Sequence, residues 1–223
     1  MSAPLRQLRS GLWHWQTAHP DWSPDEPWGE HVSSYALADG ERLLLFDPLG
    51  VSDELEVLAR EREPAILLTS PWHERDTQAL VERLSAVLFT PAADTADDLM
   101  RKFGITAEQA GDGSPDLGWL REGEWDVRFF AAGDRLPIGV EAFLGREATD
   151  LVLWVDGQRL LVTGDTLADF GGGLEIVPGW LPAGVTREAM VERLRPLLEL
   201  PVELVLPAHG EPAGRDALER ALA

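Results

Sequence analysis

Three apolar runs in this chain each end in a short turn that carries histidine or aspartate. The first is Ala65 to Leu68, which reads as a buried strand. A turn at Ser70-Pro71 follows, then a polar cluster of His73, Glu74, Arg75 and Asp76, and a helical pattern begins at Thr77 (Leu80, Val81, Leu84). His73 and Asp76 are three apart, so on a helical turn they share a face. Such a pair can hold a metal or run acid–base chemistry. The same spacing also suits an ordinary helix start, with Asp76 near the positive dipole end and His73 on the surface. The second turn, Thr163-Gly164-Asp165-Thr166, follows the strand Arg159 to Val162. The third, Pro207-Ala208-His209-Gly210, follows the strand Leu204 to Leu206. Ionisable residues at the carboxyl ends of buried strands are where α/β proteins commonly place chemistry. If these ends lie together, His73, Asp76, Asp165 and His209 converge on one cleft. Neutral imidazoles and carboxylates are donors for Zn²⁺, Mn²⁺ or Fe.

The rest of the chain must position those turns. Residues 12–30 hold Trp13, Trp15, Trp22 and Trp28 with three prolines, and Leu12 to Trp15 alternates as a short strand. This segment is either an aromatic flap over a pocket or a cover of indole rings over core surface. His31 to Leu37 and Arg42 to Phe46 read as two strands joined at Asp39-Gly40. Val51 to Glu63 is an amphipathic helix, with Leu55, Leu58 and Ala59 at helical spacing. Strand 65–69, helix 77–84, strand 87–90 and helix 95–103 follow with short connections, which implies α/β layering. Residues 111–124 read as a surface loop and Trp125 to Phe130 as a strand. Leu151 to Val155 and Arg159 to Thr163 form a hairpin around Asp156-Gly157. Thr186 to Leu200 is helical, with Pro196 expected to kink or tighten it. A short helix over 214–222 closes the chain. No linker separates these elements, so one domain over 1–223 is expected, with the Trp/Pro-rich segment 1–30 packed on it.

Composition narrows the function classes. Lys plus Arg number 19 and Asp plus Glu 39, a formal net charge of −20. So acidic a surface repels phosphate backbones and argues against a nucleic-acid partner. With no cysteine, any metal must be held by His, Asp or Glu. The N-terminus lacks the pattern of a signal peptide, and the longest apolar runs are too short to span a bilayer. A cytoplasmic protein acting on a small molecule, with no membrane partner, is the expectation. There is no Gly-x-Ser-x-Gly elbow and no Walker loop, and a Ser70 nucleophile beside His73 lacks a third group.

From the strand at Val32 to the C-terminal helix, the order of motifs resembles the metallo-β-lactamase fold superfamily. The matching pieces are Ser34-Tyr35, Phe46-Asp47-Pro48, Leu67-Leu68-Thr69, Leu161 to Asp165, and Leu204 to Gly210. The resemblance implies a four-layer αββα sandwich with metals at one edge. It also implies departures. If His73 stands at the second histidine of the family's His-x-His-x-Asp-His motif, Pro71 stands at the first, Arg75 at the aspartate and Asp76 at the third histidine. Leu144-Gly145-Arg146 stands where the family has a Pro-Gly-His turn. Asp165 fits the bridging carboxylate and His209 the last histidine. Two readings follow. In one, His73, Asp165 and His209 hold at most one tight Zn, Mn or Fe, and Asp76 binds it or acts as base. An ester, amide or thioester is then hydrolysed through metal-bound water. In the other, no metal is bound, Arg75 and Arg146 replace its charge, and the protein is a non-catalytic ligand-binding or scaffold protein.

Overall fold

Strands whose two faces are both apolar must be covered on both sides, and this requirement sets the architecture. The computed structural model describes residues 4–223, so the first three residues of the 1–30 segment lie outside it. Seven strands build the first sheet in sequence order: β1 (Arg6–Arg9), β2 (Leu12–Ala18), β3 (His31–Asp39), β4 (Arg42–Phe46), β5 (Glu63–Leu67), β6 (Val87–Thr90) and β7 (Val127–Phe129). The second sheet also runs in sequence order: β8 (Arg135–Leu136), β9 (Val140–Glu147), β10 (Asp150–Val155), β11 (Leu160–Gly164), β12 (Leu204–Pro207) and β13 (Ala213–Gly214). In β4, Leu44 and Phe46 face the second sheet and pack with Leu151, Leu153, Val162 and Leu206. Leu43 and Leu45 face the other way, toward α1 (Asp53–Arg60) and α2 (Thr77–Leu84), through Leu55 and Leu80. Two short helices, α3 (Ala96–Phe103) and α4 (Ala107–Ala110), follow β6. The outer face of the second sheet is covered by α5 (Arg187–Leu194) and α6 (Arg215–Ala221), where Trp154 and Leu161 meet Met190, Leu194 and Leu218. The layers are therefore α, β, β, α, as the resemblance implied.

Several elements differ from the expected spans. The 186–200 helix stops being α-helical at Leu194 and tightens into a 3₁₀ turn over Arg195–Glu199, the effect expected of Pro196. β9 is a full strand pairing antiparallel with β10, whereas the sequence suggested only a turn at Leu144-Gly145-Arg146. Its alternation is broken by Gly145 and Arg146, both buried, so a period-two pattern does not show. The expected strand 125–130 is reduced to Val127–Phe129, and part of the 111–124 loop is a 3₁₀ turn, Gly118–Glu122. Among the described residues, no helix is long and apolar enough to cross a membrane.

Candidate metal and ligand site

The ends of β4, β5, β11 and β12 meet at one edge of the sandwich. Asp47 follows β4 with φ 45°, a left-handed conformation that turns its carboxylate back under the next strand end. There it accepts from the backbone N–H of Thr69 at 2.8 Å and from the Thr69 hydroxyl at 2.7 Å. His73, in the 3₁₀ turn Pro71–His73 opened by a Ser70 cap, places Nδ1 2.9 Å from Thr69 Oγ1 and 3.1 Å from Asp47 Oδ2. The Thr69 hydroxyl has already given its proton to Asp47, so Nδ1 of His73 must be the donor to it. That assignment leaves Nε2 facing Asp165 Oδ1 at 3.2 Å. A bare nitrogen lone pair against a carboxylate oxygen is repulsive, so this contact needs a cation, either a proton or a metal.

Asp165 is reached through Gly164, whose φ of 51° and contact with Thr69 leave no room for a Cβ. His209 follows β12 and sets its Nε2 3.4 Å from the same Oδ1 of Asp165. Asp165 Oδ1 is buried and has no well-directed hydrogen-bond partner among the described residues, and the same holds for His209 Nδ1. His209 is braced by rings instead, with the centroids of Trp180 at 5.2 Å, Trp28 at 5.5 Å and Phe170 at 5.9 Å. Its backbone is clamped from the other sheet, where Ser33 N donates to Ala208 O at 2.8 Å and Ser33 Oγ to Gly210 O at 2.7 Å. The three side chains border a cleft of about 360 Å³, with Trp28, Trp72 and Trp180 in its walls.

Charge explains the ionisation. Burial opposes the imidazolium of His73, but Asp47 and then Asp165 outweigh it and hold its pKa at about 10. Burial likewise opposes the Asp165 carboxylate, and the charge of His73, with the nearby His209 adding to it, outweighs burial and leaves it well below the usual carboxylate range. Asp150, at the start of β10, is pushed up to about 6, chiefly by burial, with Arg146 opposing and Asp165 adding to the rise.

The structure thus brings His73, Asp165, His209, Arg75 and Arg146 to one cleft. It does not bring Asp76 there. Asp76 Oδ2 accepts from Gly50 N at 2.7 Å and fixes the loop after β4, so the ligand or base role read from its i,i+3 spacing is not where the side chain points. Arg146 pairs with Asp150 at 2.8 Å and lies 3.7 Å from Asp165 Oδ2. Arg75 donates to the carbonyls of Asp47 at 2.6 Å and Ser33 at 3.2 Å, so of the two arginines expected to replace metal charge only Arg146 meets the cleft carboxylates. Sequence reasoning missed Asp47, Thr69 and Asp150 as site residues. Asp47 carried the available signal, an acid directly after the apolar run of β4. Trp28 faces the cleft, whereas Trp15 is core and donates Nε1–H to Leu49 O at 2.7 Å, so the tryptophan segment serves both purposes weighed for it.

As the side chains stand, no group of three or more His, Asp or Glu is arranged to hold a metal ion among the described residues. The donors touch one another instead. The donor types still suit a divalent ion: two imidazole Nε2 atoms stand 3.2 and 3.4 Å from one carboxylate oxygen that has no directed partner. Arg146 and Arg75 bring fixed positive charge to the same cleft.

No protein-family model matches the sequence, and no curated protein matches it. Solved structures do. DIM-1 metallo-β-lactamase is 10% identical, with TM-score 0.65 over 100% of this chain and 96% of that one. FIM-1 from Pseudomonas aeruginosa, in a mono-zinc form, is 14% identical, with TM-score 0.63 over 100% of this chain and 94% of that one. A protein solved in a di-iron-bound form is 25% identical, with TM-score 0.55 over 88% of this chain and 95% of that one. The chain has the metallo-β-lactamase fold. Within that fold its sequence is divergent.

Proposed function

We propose that the protein is a hydrolase of ester, amide or thioester bonds with a site for one metal ion, held by His73, Asp165 and His209. The observation that carries this reading is the His73 contact. Asp47 and Thr69 fix Nδ1 as a donor, so Nε2 is the nitrogen that faces Asp165 Oδ1; a proton holds that contact in the metal-free protein, and an ion taking the proton's place would find the Nε2 lone pair and the carboxylate together. A carboxylate behind a ligating histidine orients the ring and raises its basicity, as Asp47 does here. A bound ion would supply Lewis acidity and a water of lowered pKa. The chain's own residues do the rest: the half-buried tryptophans restrict solvent, and Arg146 holds Asp165 from its second oxygen. Mono-zinc and di-iron forms among the similar structures support a metal at this edge.

One observation favours the second reading, a metal-free ligand-binding protein. Arg146 already lies within 3.7 Å of Asp165 and neutralises part of its charge. Elemental analysis after dialysis against a weak chelator separates the two. About one zinc, manganese or iron per chain, lost in His73→Ala and His209→Ala, supports the hydrolase. Metal near zero, with no stabilisation by added zinc, supports the metal-free protein. Two ions per chain would overturn both.

A further inference from the structure

A second cavity, of about 450 Å³, adjoins the cleft. The two share Lys102, Arg146, Glu147 and Pro182 as a common wall. Its charge is opposite to that of the protein. Arg101, Lys102, Arg146 and Arg193 border it against the single carboxylate of Glu147, in a chain with 19 basic and 39 acidic residues.

These cations are not equivalent. Lys102 is saturated: Asp94 at 2.9 Å, Glu147 at 2.8 Å and Thr149 at 2.8 Å take its three protons, so it is a strut. Arg101 is exposed and pairs with Asp98 from its own helix. Arg193, half-buried on α5, differs from both. Its Nη1 donates to the carbonyls of Gly145 at 3.1 Å and Arg146 at 2.6 Å, which fixes the guanidinium plane. No carboxylate pairs with it among the described residues, and its Nη2 and Nε carry no protein partner there. Arg146 Nε is also buried and without a hydrogen-bond partner. A partly desolvated guanidinium with free donors is matched by an oxyanion, which takes two parallel N–H bonds. Leu144, Pro182 and Val185 supply an apolar flank for the atoms beside that anion.

The geometry points to an oxyanion subsite in this cavity, with Arg193 as its principal donor. It takes a phosphate or carboxylate borne on the tail of a substrate whose reacting bond lies over His73, Asp165 and His209. Anion binding stands on these residues alone; the assignment to a substrate tail rests on the hydrolase reading.

The test uses metal-free protein, so that an ion in the cleft cannot bind the probe. Inorganic phosphate and succinate are titrated by calorimetry. Saturable binding below about 10 mM is expected for at least one of them. Phosphate alone indicates a phosphoester tail, and succinate alone a carboxylate tail. Arg193→Gln should weaken binding at least tenfold and Arg101→Gln by a smaller factor. Arg128→Gln, on the distant strand β7, should leave it unchanged. No saturable binding of either probe overturns the subsite, as does a folded Arg193→Gln that binds like the parent. Should Arg193→Gln not fold, an Arg101→Gln protein with unchanged affinity overturns it. None of these outcomes depends on metal content, so the subsite and the hydrolase reading fail separately.

Discussion

Replacing Arg146 by histidine tests how this site balances charge. The guanidinium stands 2.8 Å from Asp150 Oδ2 and 3.7 Å from Asp165 Oδ2. At an effective dielectric constant of about 20, those distances correspond to attractions of roughly 6 and 4 kcal/mol before desolvation. Most of that is offset by the cost of burying the ions, and breaking such a pair leaves a net loss of about 3–5 kcal/mol. Asp150 bears the larger part, since burial already pushes it up to about 6 with the arginine beside it. In metal-free protein, Arg146→His should therefore be destabilised by about 3–5 kcal/mol in urea unfolding. Zinc should then act in opposite proportion. Removal of a positive charge and addition of an imidazole should tighten zinc binding at least about tenfold, worth ~1.4 kcal/mol. At a hundred times its Kd, zinc should restore about 2.7 kcal/mol. Calorimetry of parent and variant measures the first effect, and urea midpoints with and without zinc the second. Equal zinc affinities, or a metal-free variant within about 1 kcal/mol of the parent, would refute the charge balance.

Three further outcomes are expected. Asp76→Ala should cost about 1–2 kcal/mol through the lost acceptor for Gly50 N, with zinc affinity unchanged; a loss of zinc binding would return Asp76 to the site. Gly210→Ala should destabilise by roughly 2–3 kcal/mol and loosen His209, because φ is 102° and a Cβ would collide with the carbonyl of Asp169. Gly157→Ala, with open space around it, is the neutral control, and equal melting shifts would count against the clamp. His14 is buried, and its pKa is lowered to about 4, mainly by that burial. The folded value lies below the free one, so the unfolded chain gains the proton first. Stability should fall as pH drops from 6.5 toward 4, by about 2–3 kcal/mol once screening by exposed Arg6 and Glu211 is allowed for. His14→Gln should flatten that slope, and an unchanged slope would place its cause elsewhere.

The layers were legible because their signals are redundant along the chain. β4, β10, β11 and β12 are mostly apolar runs, as is the end of β5 (Ala65 to Leu67), and β4 and β11 end at residues with positive φ, Asp47 and Gly164. The convergence of His73, Asp165 and His209 was legible because each follows an apolar strand, β5 in the first sheet and β11 and β12 in the second, and those strand ends meet at one edge of the sandwich. Asp76 was misplaced because i,i+3 spacing fixes a shared face only on a continuous helix. Here Arg75, at φ 45°, breaks the path between the 3₁₀ turn of His73 and the start of α2, so the two side chains diverge. β9 was hidden because two buried residues at its end, Gly145 and Arg146, carry no apolar signal.

The partners of Arg146 were hidden for a deeper reason. Asp150 lies four residues away across a tight β9–β10 connection, where register shifts between Asp150 and Leu151. That irregularity turns the acid inward, and Gly145 permits it, because a Cβ there would strike Thr166 and the Asp150 carbonyl. Thr166, next to Asp165, accepts from Arg146 N at 2.9 Å and so ties the β9 end to the Asp165 turn. Glycine, arginine, aspartate and threonine at this corner form one unit, in which a small residue lets a charged pair close beside Asp165. A larger residue at 145 would push Asp150 away from Arg146. The freed guanidinium would then turn wholly to Asp165 and compete directly with any metal held there.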